Sequence, residues 1–281
     1  MSWRLADLRQ AEAVRTFVAA REPAAVVFSE YLKTTGVGKR LGRYQRVLIR
    51  QEGRRITGAV LQTGAGFFVP AGLDDSLDEQ QELRSLLAPE ENRVHSVMGE
   101  LDAVDRLTRT IALPVRQWVD YHLMFRSLDQ QIRFVELPLP GMEYHWATLK
   151  DARGLREIQE AYEREEVILP GHYFDPRVSL ENLKYQLKSQ LVLYATHEGR
   201  IVAKAATNAR GFLCDQLGGV YTDPEYRRRG VARWLVSILI RRLKREGRSS
   251  SLFVKPDNRA AVELYRELGF SIVGPFRISY Y

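Results

Sequence analysis

The chain has 281 residues, of which 45% are hydrophobic and 27% are charged. This composition is typical of an ordinary folded protein and excludes disordered, collagen-like and coiled-coil chains, while the length fits two domains. The 42 basic and 35 acidic residues give a net charge of +7, which favours an anionic partner such as nucleic acid, an acidic membrane or a phosphorylated small molecule.

Cysteine usage and apolar runs predict where the protein resides. Cys214 is the single cysteine, and no Cys/His spacing matches a zinc site, so we expect a reducing compartment and no metal. The first ten residues carry charges where a secretion signal would be apolar, and their pattern indicates the start of an amphipathic helix. The longest apolar runs, 24–28 and 234–240, are far shorter than the roughly 20 residues that span a bilayer. We predict a cytoplasmic protein without a membrane partner.

Hydrophobic periodicity in the first half predicts an α/β unit in which two helices precede three strands. Gly53 is the expected turn of the first hairpin. The predicted elements, in chain order, are helices near 5–21 and 24–33, strands near 46–51, 56–63 and 67–70, a helix near 77–87, a strand near 94–98, a helix near 101–111 and a strand near 121–125.

The proline-rich segment 137–141 is the best linker, because each proline removes a backbone donor and biases the preceding residue toward extended structure. We place a boundary there, between an N-terminal domain at 1–136 and a C-terminal domain at 137–281. The second half then repeats the order of elements, with helices near 155–162 and 180–187 and strands near 191–195, 201–207 and 212–220.

The repeat extends to local sequence. Residues 47–59 resemble 192–205 around a turn glycine, and Gly66 with its following phenylalanine parallels Gly211 at an offset of about 145 residues. We interpret the match as an ancient duplication. Because glycine hairpins are common, a chance match is the alternative.

A basic turn at 223–230 connects the strand ending at Thr222 to a helix that Gly247 ends. Backbone N–H groups at a helix start have no partner within the helix, and the helix dipole adds positive potential there. Gly230 lets a phosphate approach the backbone, and Arg227 offers a charged donor at the edge. The turn matches neither the nucleoside triphosphate loop nor the dinucleotide pattern, so it predicts a different phosphate-bearing ligand.

A predicted strand near 250–254 leads to a last helix, which Asp257 or Asn258 can cap and which Gly269 can end. Tyr265 lies at the edge of the apolar face of this helix. Packing is the ordinary role of a tyrosine in such a position.

The sequence resembles the GNAT superfamily of acyl-CoA-dependent N-acetyltransferases in two segments: Val220-Tyr-Thr-Asp-Pro-Glu-Tyr-Arg-Arg-Arg-Gly-Val-Ala and Asn258-Arg-Ala-Ala-Val-Glu-Leu-Tyr-Arg-Glu-Leu-Gly-Phe. The resemblance covers about residues 142–281. The whole chain also resembles a two-part GNAT subgroup with a degenerate N-terminal domain. This implies an α/β fold with a mixed sheet, built from tandem GNAT-like halves of which the C-terminal half is a complete GNAT domain.

The resemblance implies acetyl-CoA as co-substrate and assigns its contacts. The loop 227–232 would hold the pyrophosphate, and backbone groups of Val220 and Thr222 would pair with the pantetheine arm and polarise the thioester carbonyl. Asn258 would hydrogen-bond the cofactor arm, and Tyr265 would protonate the departing thiolate as general acid. The implied cofactor contacts are Gly219, Val220, Tyr221, Thr222, Arg227, Arg228, Arg229, Gly230, Val231, Ala232, Asn258 and Ala261.

The implied reaction is direct attack of an amine on the thioester within a ternary complex, without a covalent enzyme intermediate. Glu165 and Glu166 are our first candidates for the base, since they end the helix that usually walls the acceptor site. Asp215 and Gln216, on the strand expected to face the acceptor, are the others. Ordinary surface or capping roles are the alternative for all four. Further candidates for the cleft wall are His145, Trp146, His172 and Tyr173.

The first half lacks the chemistry of the second. The segment corresponding to the basic turn, 69–76, has no arginine and contains Asp74 and Asp75, which would repel phosphate. The counterpart of the last helix, near 101–108, lacks the asparagine and the tyrosine. We therefore expect the first half to pack on the second and complete the acceptor cleft rather than bind coenzyme A.

Acetylation of a primary amine on a small molecule or peptide is the favoured function. Aminoacyl-tRNA-dependent transferases also pair two GNAT-like halves, and the net charge would suit tRNA, but they usually lack an intact coenzyme A cradle. A non-catalytic acyl-CoA-binding sensor is the other alternative. Nucleic acid is not an expected partner, because no interleaved aromatic platform accompanies the basic helix face at 241–248.

Overall fold

The computed structural model describes residues 2–38, 45–73, 77–88, 93–132, 135–169 and 171–281. Within these ranges, no helix combines the length and the apolar character needed to cross a bilayer. The N-terminal half contains β1 (Ser2–Leu5), α1 (Ala11–Ala19), α2 (Val26–Thr34), β2 (Arg46–Glu52), β3 (Arg55–Gln62), β4 (Phe67–Ala71), α3 (Leu77–Leu87), β5 (Ser96–Glu100), α4 (Leu101–Thr110) and β6 (Gln117–Arg126).

The C-terminal half repeats this order of strands and helices. It contains β7 (Glu143–Trp146), α5 (Arg156–Tyr162), α6 (Pro176–Ser189), β8 (Val192–His197), β9 (Arg200–Arg210), β10 (Cys214–Thr222), α7 (Val231–Arg245), β11 (Ser249–Val254), α8 (Arg259–Glu267) and β12 (Ser271–Tyr280). The repetition confirms the predicted tandem of two related halves with mixed α/β structure.

The described strands form one mixed sheet in the order β1-β2-β3-β4-β5-β12-β6-β11-β10-β9-β8-β7. The order is symmetric about the antiparallel pair of β12 and β6. Each half therefore supplies five strands to its own side of the sheet and one strand, β6 or β12, to the other side. Strands from both sides of the predicted 136/137 boundary are thus interleaved in the sheet.

Helices cover both faces of the C-terminal part of the sheet. The largest apolar cluster lies between the strands and helices α7 and α8, and includes Leu235, Leu239 and Tyr265. A second cluster lies under α5 and α6, where Leu155 and Leu183 are fully buried. Because β9 and β10 are covered on both faces, their residues are buried almost without alternation, as expected for central strands.

Three strands differ from the sequence-based prediction. The N-terminus forms β1, paired with β2, and not the start of a helix; Trp3 is buried there. The strands β7 and β12 were not predicted. In β12, Gly274 and Pro275 interrupt the apolar pattern, and the structure accommodates them at a shift in register against β6. Of the segment compared with the basic turn, Asp74, Asp75 and Ser76 lie outside the described residues.

Candidate active site

The site begins where two parallel strands diverge. Within the described lengths of β10 and β11, residues 214–216 pair with residues 249–251, and the register does not continue beyond them. On its other side, β10 shifts register against β9 between Gly218 and Tyr221. Gly219 has a φ of +60° at this irregularity, a conformation that favours glycine. The backbone of residues 219–222 therefore borders an opening between β10 and β11.

The opening ends at the start of α7. The Asp223 side chain accepts a hydrogen bond of 3.0 Å from the backbone N–H of Glu225 and so holds the short 3-10 turn at 224–226. Arg228 and Gly230 have φ values of +61° and +81°. Gly230 is the N-cap and supplies no side chain to the free N–H groups of the first turn of α7. These groups, with three arginines beside them, form a cradle of the kind that binds anions in other proteins.

An ion pair between Arg227 and Glu165 connects the cradle to the segment that follows α5. Arg227 donates to the Glu165 carboxylate at 2.7 Å and to the backbone oxygen of Thr222 at 3.0 Å. The Tyr221 hydroxyl donates to the same carboxylate at 3.2 Å. The hydrogen bond from Arg227 lowers the pKa of Glu165. Glu165 is therefore held as a carboxylate, and both hydrogen bonds fall on one of its oxygens, Oε2.

Glu166 lies beside Tyr265. The Glu166 carboxylate forms a longer ion pair of 3.4 Å with Lys255. The Tyr265 ring is buried and packs edge-on against Phe270 at 5.8 Å between centroids. Burial raises the pKa of Tyr265, and the nearby Tyr162 and Glu166 raise it further. The phenol is therefore protonated at neutral pH.

The predicted capping role of Asn258 is confirmed, since its side-chain oxygen accepts a hydrogen bond of 3.1 Å from the backbone N–H of Ala261. Both residues lie at the start of α8, the helix that carries Tyr265. This hydrogen bond uses the amide oxygen and leaves the Asn258 NH₂ group as a donor.

Sequence analysis missed a buried lysine next to the site. Lys204 on β9 is 1% exposed, donates a hydrogen bond to Gln159 and lies 4.6 Å over the Tyr162 ring. Its Nζ lies 3.2 Å from the position that a Cβ on Gly219 would occupy. Burial lowers the pKa of Lys204 to about 7, and Glu163 opposes this change. A lysine within the apolar run 201–206 was the available sequence signal.

Tyr162 connects this lysine to the cleft. Burial raises the pKa of Tyr162 to about 12, although a hydrogen bond from the backbone of Gly219 opposes the rise. Tyr162 also borders a pocket of about 200 Å³ with several amide side chains, among them Gln159, Gln186 and Asn208. The segment 163–167 that follows is a π-helix, a feature found frequently at functional sites.

Asp215 is not in the cleft, contrary to the expectation that it faces the acceptor. Its side chain is fully buried and pairs with Arg210 at 3.1 Å and with Arg248. A buried carboxylate needs such partners, because it would otherwise be strongly destabilised. Gln216, the next residue, is also buried. The sequence pattern could not show that Arg210, five residues before Asp215, and Arg248, 33 residues after it, converge on this carboxylate.

The other predicted wall residues are dispersed. Tyr173 is 85% exposed. The His145 ring stacks on Tyr194 and bonds the Thr196 hydroxyl at 3.0 Å, while Trp146 lies on the same edge strand, β7. Burial raises the pKa of Cys214 to about 11, consistent with a small buried hydrophobe.

Comparisons with known proteins agree with this geometry. Residues 154–270 match the model of the acetyltransferase (GNAT) family. Proteins with curated descriptions gave no significant match. Similar solved structures include a Drosophila protein, with a TM-score of 0.70 at 12% identity over 99% of this chain and 98% of its own.

Two further solved structures have the same organisation. A GCN5-related N-acetyltransferase from Kribbella flavida has a TM-score of 0.60 at 16% identity, over 94% of this chain and 95% of its own. A tandem GNAT protein from the clavulanic acid biosynthesis pathway has a TM-score of 0.58 at 12% identity, over 99% and 98%. Residues 154–270 therefore match the GNAT acetyltransferase family, in a chain that has the fold of tandem GNAT proteins.

Proposed function

We propose that the C-terminal half transfers an acetyl group from acetyl-CoA to a primary amine by direct attack within a ternary complex. The observation that carries this proposal is the opening between β10 and β11, which leads to a cradle of free N–H groups at Gly230. The match of residues 154–270 to the GNAT family supports acyl transfer in general. Acetyl-CoA, the amine and the roles of individual residues are the parts proposed.

The residues around the opening suit coenzyme A. The N–H groups at 228–232 would bind the pyrophosphate, with Arg227, Arg228 and Arg229 beside them. Backbone groups of residues 219–222 would pair with the pantetheine arm, and the NH₂ group of Asn258 would donate to it. Gly230 leaves the cradle open, since the nearest atoms to a Cβ built on it are 3.9 Å away.

In the proposed reaction, the amine nitrogen attacks the thioester carbonyl carbon and the carbon–sulfur bond breaks. The proton of Tyr265 passes to the sulfur, which leaves as the free thiol of coenzyme A, and a base accepts the proton lost by the amine. We assign the base to Glu166, because Glu165 is held by Arg227 with a lowered pKa and is correspondingly weak. Glu165 would attract the cationic acceptor.

The N-terminal half contributes to the cleft through β6. Tyr121 lies on this strand, next to β11, and packs edge-on against Phe253 at 5.0 Å. Burial raises the pKa of Tyr121, and Tyr162 and Glu166 are close enough to raise it further. We therefore propose that the first half completes the acceptor cleft with this strand and binds no coenzyme A of its own.

Calorimetric titration with acetyl-CoA tests the cradle. We expect micromolar binding by the wild-type protein and loss of binding in Gly230→Glu, which adds a negative side chain where the pyrophosphate would lie. Gly53→Glu is the matched control, because Gly53 also has a positive φ and open space around it, but lies in the first hairpin. Unchanged binding in Gly230→Glu would contradict the proposal. Amine-dependent release of free thiol, screened over primary amines, then tests catalysis.

A further inference from the structure

A groove of about 290 Å³ lies on the flank of α7 that faces the edge strand β7. Leu137 of the linker is one of its lining residues, and six other lining side chains are aromatic or basic: Tyr144, Trp146, Trp234, Arg241, Arg242 and Arg245. The proposed cofactor contacts lie elsewhere, at the start of α7 and between β10 and β11. The acetyltransferase proposal therefore does not account for this groove.

Aromatic rings form one wall. Tyr144 and Trp146 are alternate residues of β7 and so share a face of the strand. The Tyr144 ring meets Trp234 of α7 edge-on, with 5.8 Å between centroids. Trp234 is buried, but Tyr144 and Trp146 are 45% and 37% exposed. Two partly exposed rings at the edge of a sheet offer flat apolar surface to a ligand.

Three arginines form the other wall. Arg241, Arg242 and Arg245 occupy neighbouring positions on one face of α7. The carboxylate of Glu246 pairs with Arg242 at 2.6 Å but is shared with Arg210. Arg245 is exposed. The groove is therefore positively charged beside its aromatic wall.

The combination of aromatic rings and arginines in this groove favours one class of ligand. A second copy of the chain, packed symmetrically on the same groove, would bring identical arginines together and be repelled. An acidic polypeptide would offer carboxylates to the arginines, but few of its side chains are flat rings that stack on Tyr144 and Trp146. Single-stranded nucleic acid uses both, because its phosphates pair with arginine while its bases stack on aromatic rings. The sequence argued against nucleic acid because no aromatic platform accompanied the basic helix face. The structure provides aromatic rings beside that face on β7, a strand that the sequence pattern did not predict.

We propose that this groove binds single-stranded nucleic acid. Fluorescence anisotropy of labelled decathymidylate and decauridylate tests it. We expect binding that weakens steeply as salt rises from about 50 to 200 mM. Trp146→Leu and Arg245→Glu should each weaken binding by about tenfold or more. Trp118→Leu and Arg177→Glu are the matched controls, since both residues are exposed and lie on other elements, and should bind as wild type.

Three results would overturn the proposal. If Trp146→Leu binds as wild type and heparin competes as well as the oligonucleotide, the groove responds to charge alone. If polyglutamate binds with equal affinity, the partner is an acidic protein. If Gly230→Glu abolishes oligonucleotide binding, the nucleic acid occupies the cradle. Acetyl-CoA binding should be unchanged in the groove variants, so the nucleic acid proposal and the acetyltransferase proposal can fail separately.

Discussion

At the scale of single residues, removing the hydroxyl of Tyr265 distinguishes its proposed role as a general acid from its role in packing. Tyr265→Phe keeps the ring against Phe270 but removes the proton donor. We expect kcat to fall by about 100-fold, the lower end of what a positioned acid contributes, while the calorimetric Kd for acetyl-CoA is unchanged. A variant with wild-type kcat would show that the thiolate leaves without help from Tyr265.

Lys204 makes stability depend on pH in a defined direction. Its pKa in the folded protein is about 7, below the ordinary lysine value of 10.5. Between these pH values the unfolded chain binds a proton that the folded protein does not, so this residue makes stability rise with pH. Below pH 7 both states are protonated, and the cost of burying the charge is fully present.

Urea denaturation of the wild type and Lys204→Met across this range tests the effect. Because methionine fills similar space without titrating, the other ionisable groups cancel in the comparison. We expect the stability of the wild type relative to the variant to increase above pH 7, by up to about 1.4 kcal/mol per pH unit. Parallel stability curves would show that Lys204 keeps an ordinary pKa.

The cradle was predicted correctly as a local structure, whereas the environment of Asp215 was not, and the difference shows which kinds of geometry a sequence can predict. The turn at 223–230 and the capping by Asn258 depend on neighbours in the chain, so their geometry could be predicted. The environment of Asp215 depends on Arg248, and that of Lys204 on Gln159, residues more than 30 positions away. Long-range partners of this kind leave little trace in local periodicity.

At the scale of elements, the hairpin between β9 and β10 depends on the first half. The buried Glu22 carboxylate accepts hydrogen bonds from the backbone N–H groups of Phe212 and of Leu213, the latter at 3.0 Å. Glu22→Ala leaves both donors unpaired, and we expect a loss of about 1–3 kcal/mol in the free energy of unfolding. Glu22→Gln, which keeps an acceptor oxygen, should lose less, and the exposed Glu12→Ala almost nothing. Equal stability of Glu22→Ala and Glu12→Ala in urea would contradict this role.

The elements that sequence periodicity missed share a physical cause. Within the C-terminal half, the strands β8, β9 and β10 are apolar and pair with sequence neighbours, so pattern and turn glycines predicted them. The short β7 pairs across about fifty residues, and β12 pairs with β5 and β6 more than a hundred residues earlier. Such strands are stabilised by their partners more than by their own sequence.

At the scale of the whole molecule, the exchange of β6 and β12 makes the halves interdependent. A fragment cut at the predicted boundary, 137–281, loses β6, which pairs with β11 along residues 250–254 and with most of β12. The strand β11 would expose the edge that pairs with β6 but keep β10, whereas β12 would lose both its partners, β5 and β6. Unpaired hydrophobic strand edges favour aggregation. The proposed acceptor cleft would also lose Tyr121.

We therefore expect the full chain to unfold in one cooperative transition, and the separate fragments 1–136 and 137–281 to be unfolded or aggregated. Co-expression of the two fragments should restore a folded complex, because every strand partner is then present. Urea titration followed by circular dichroism, with acetyl-CoA binding as a second readout, distinguishes these states. If 137–281 alone unfolded cooperatively and bound acetyl-CoA as tightly as the full chain, the second half would be an independent domain, and β6 would be dispensable to the cleft.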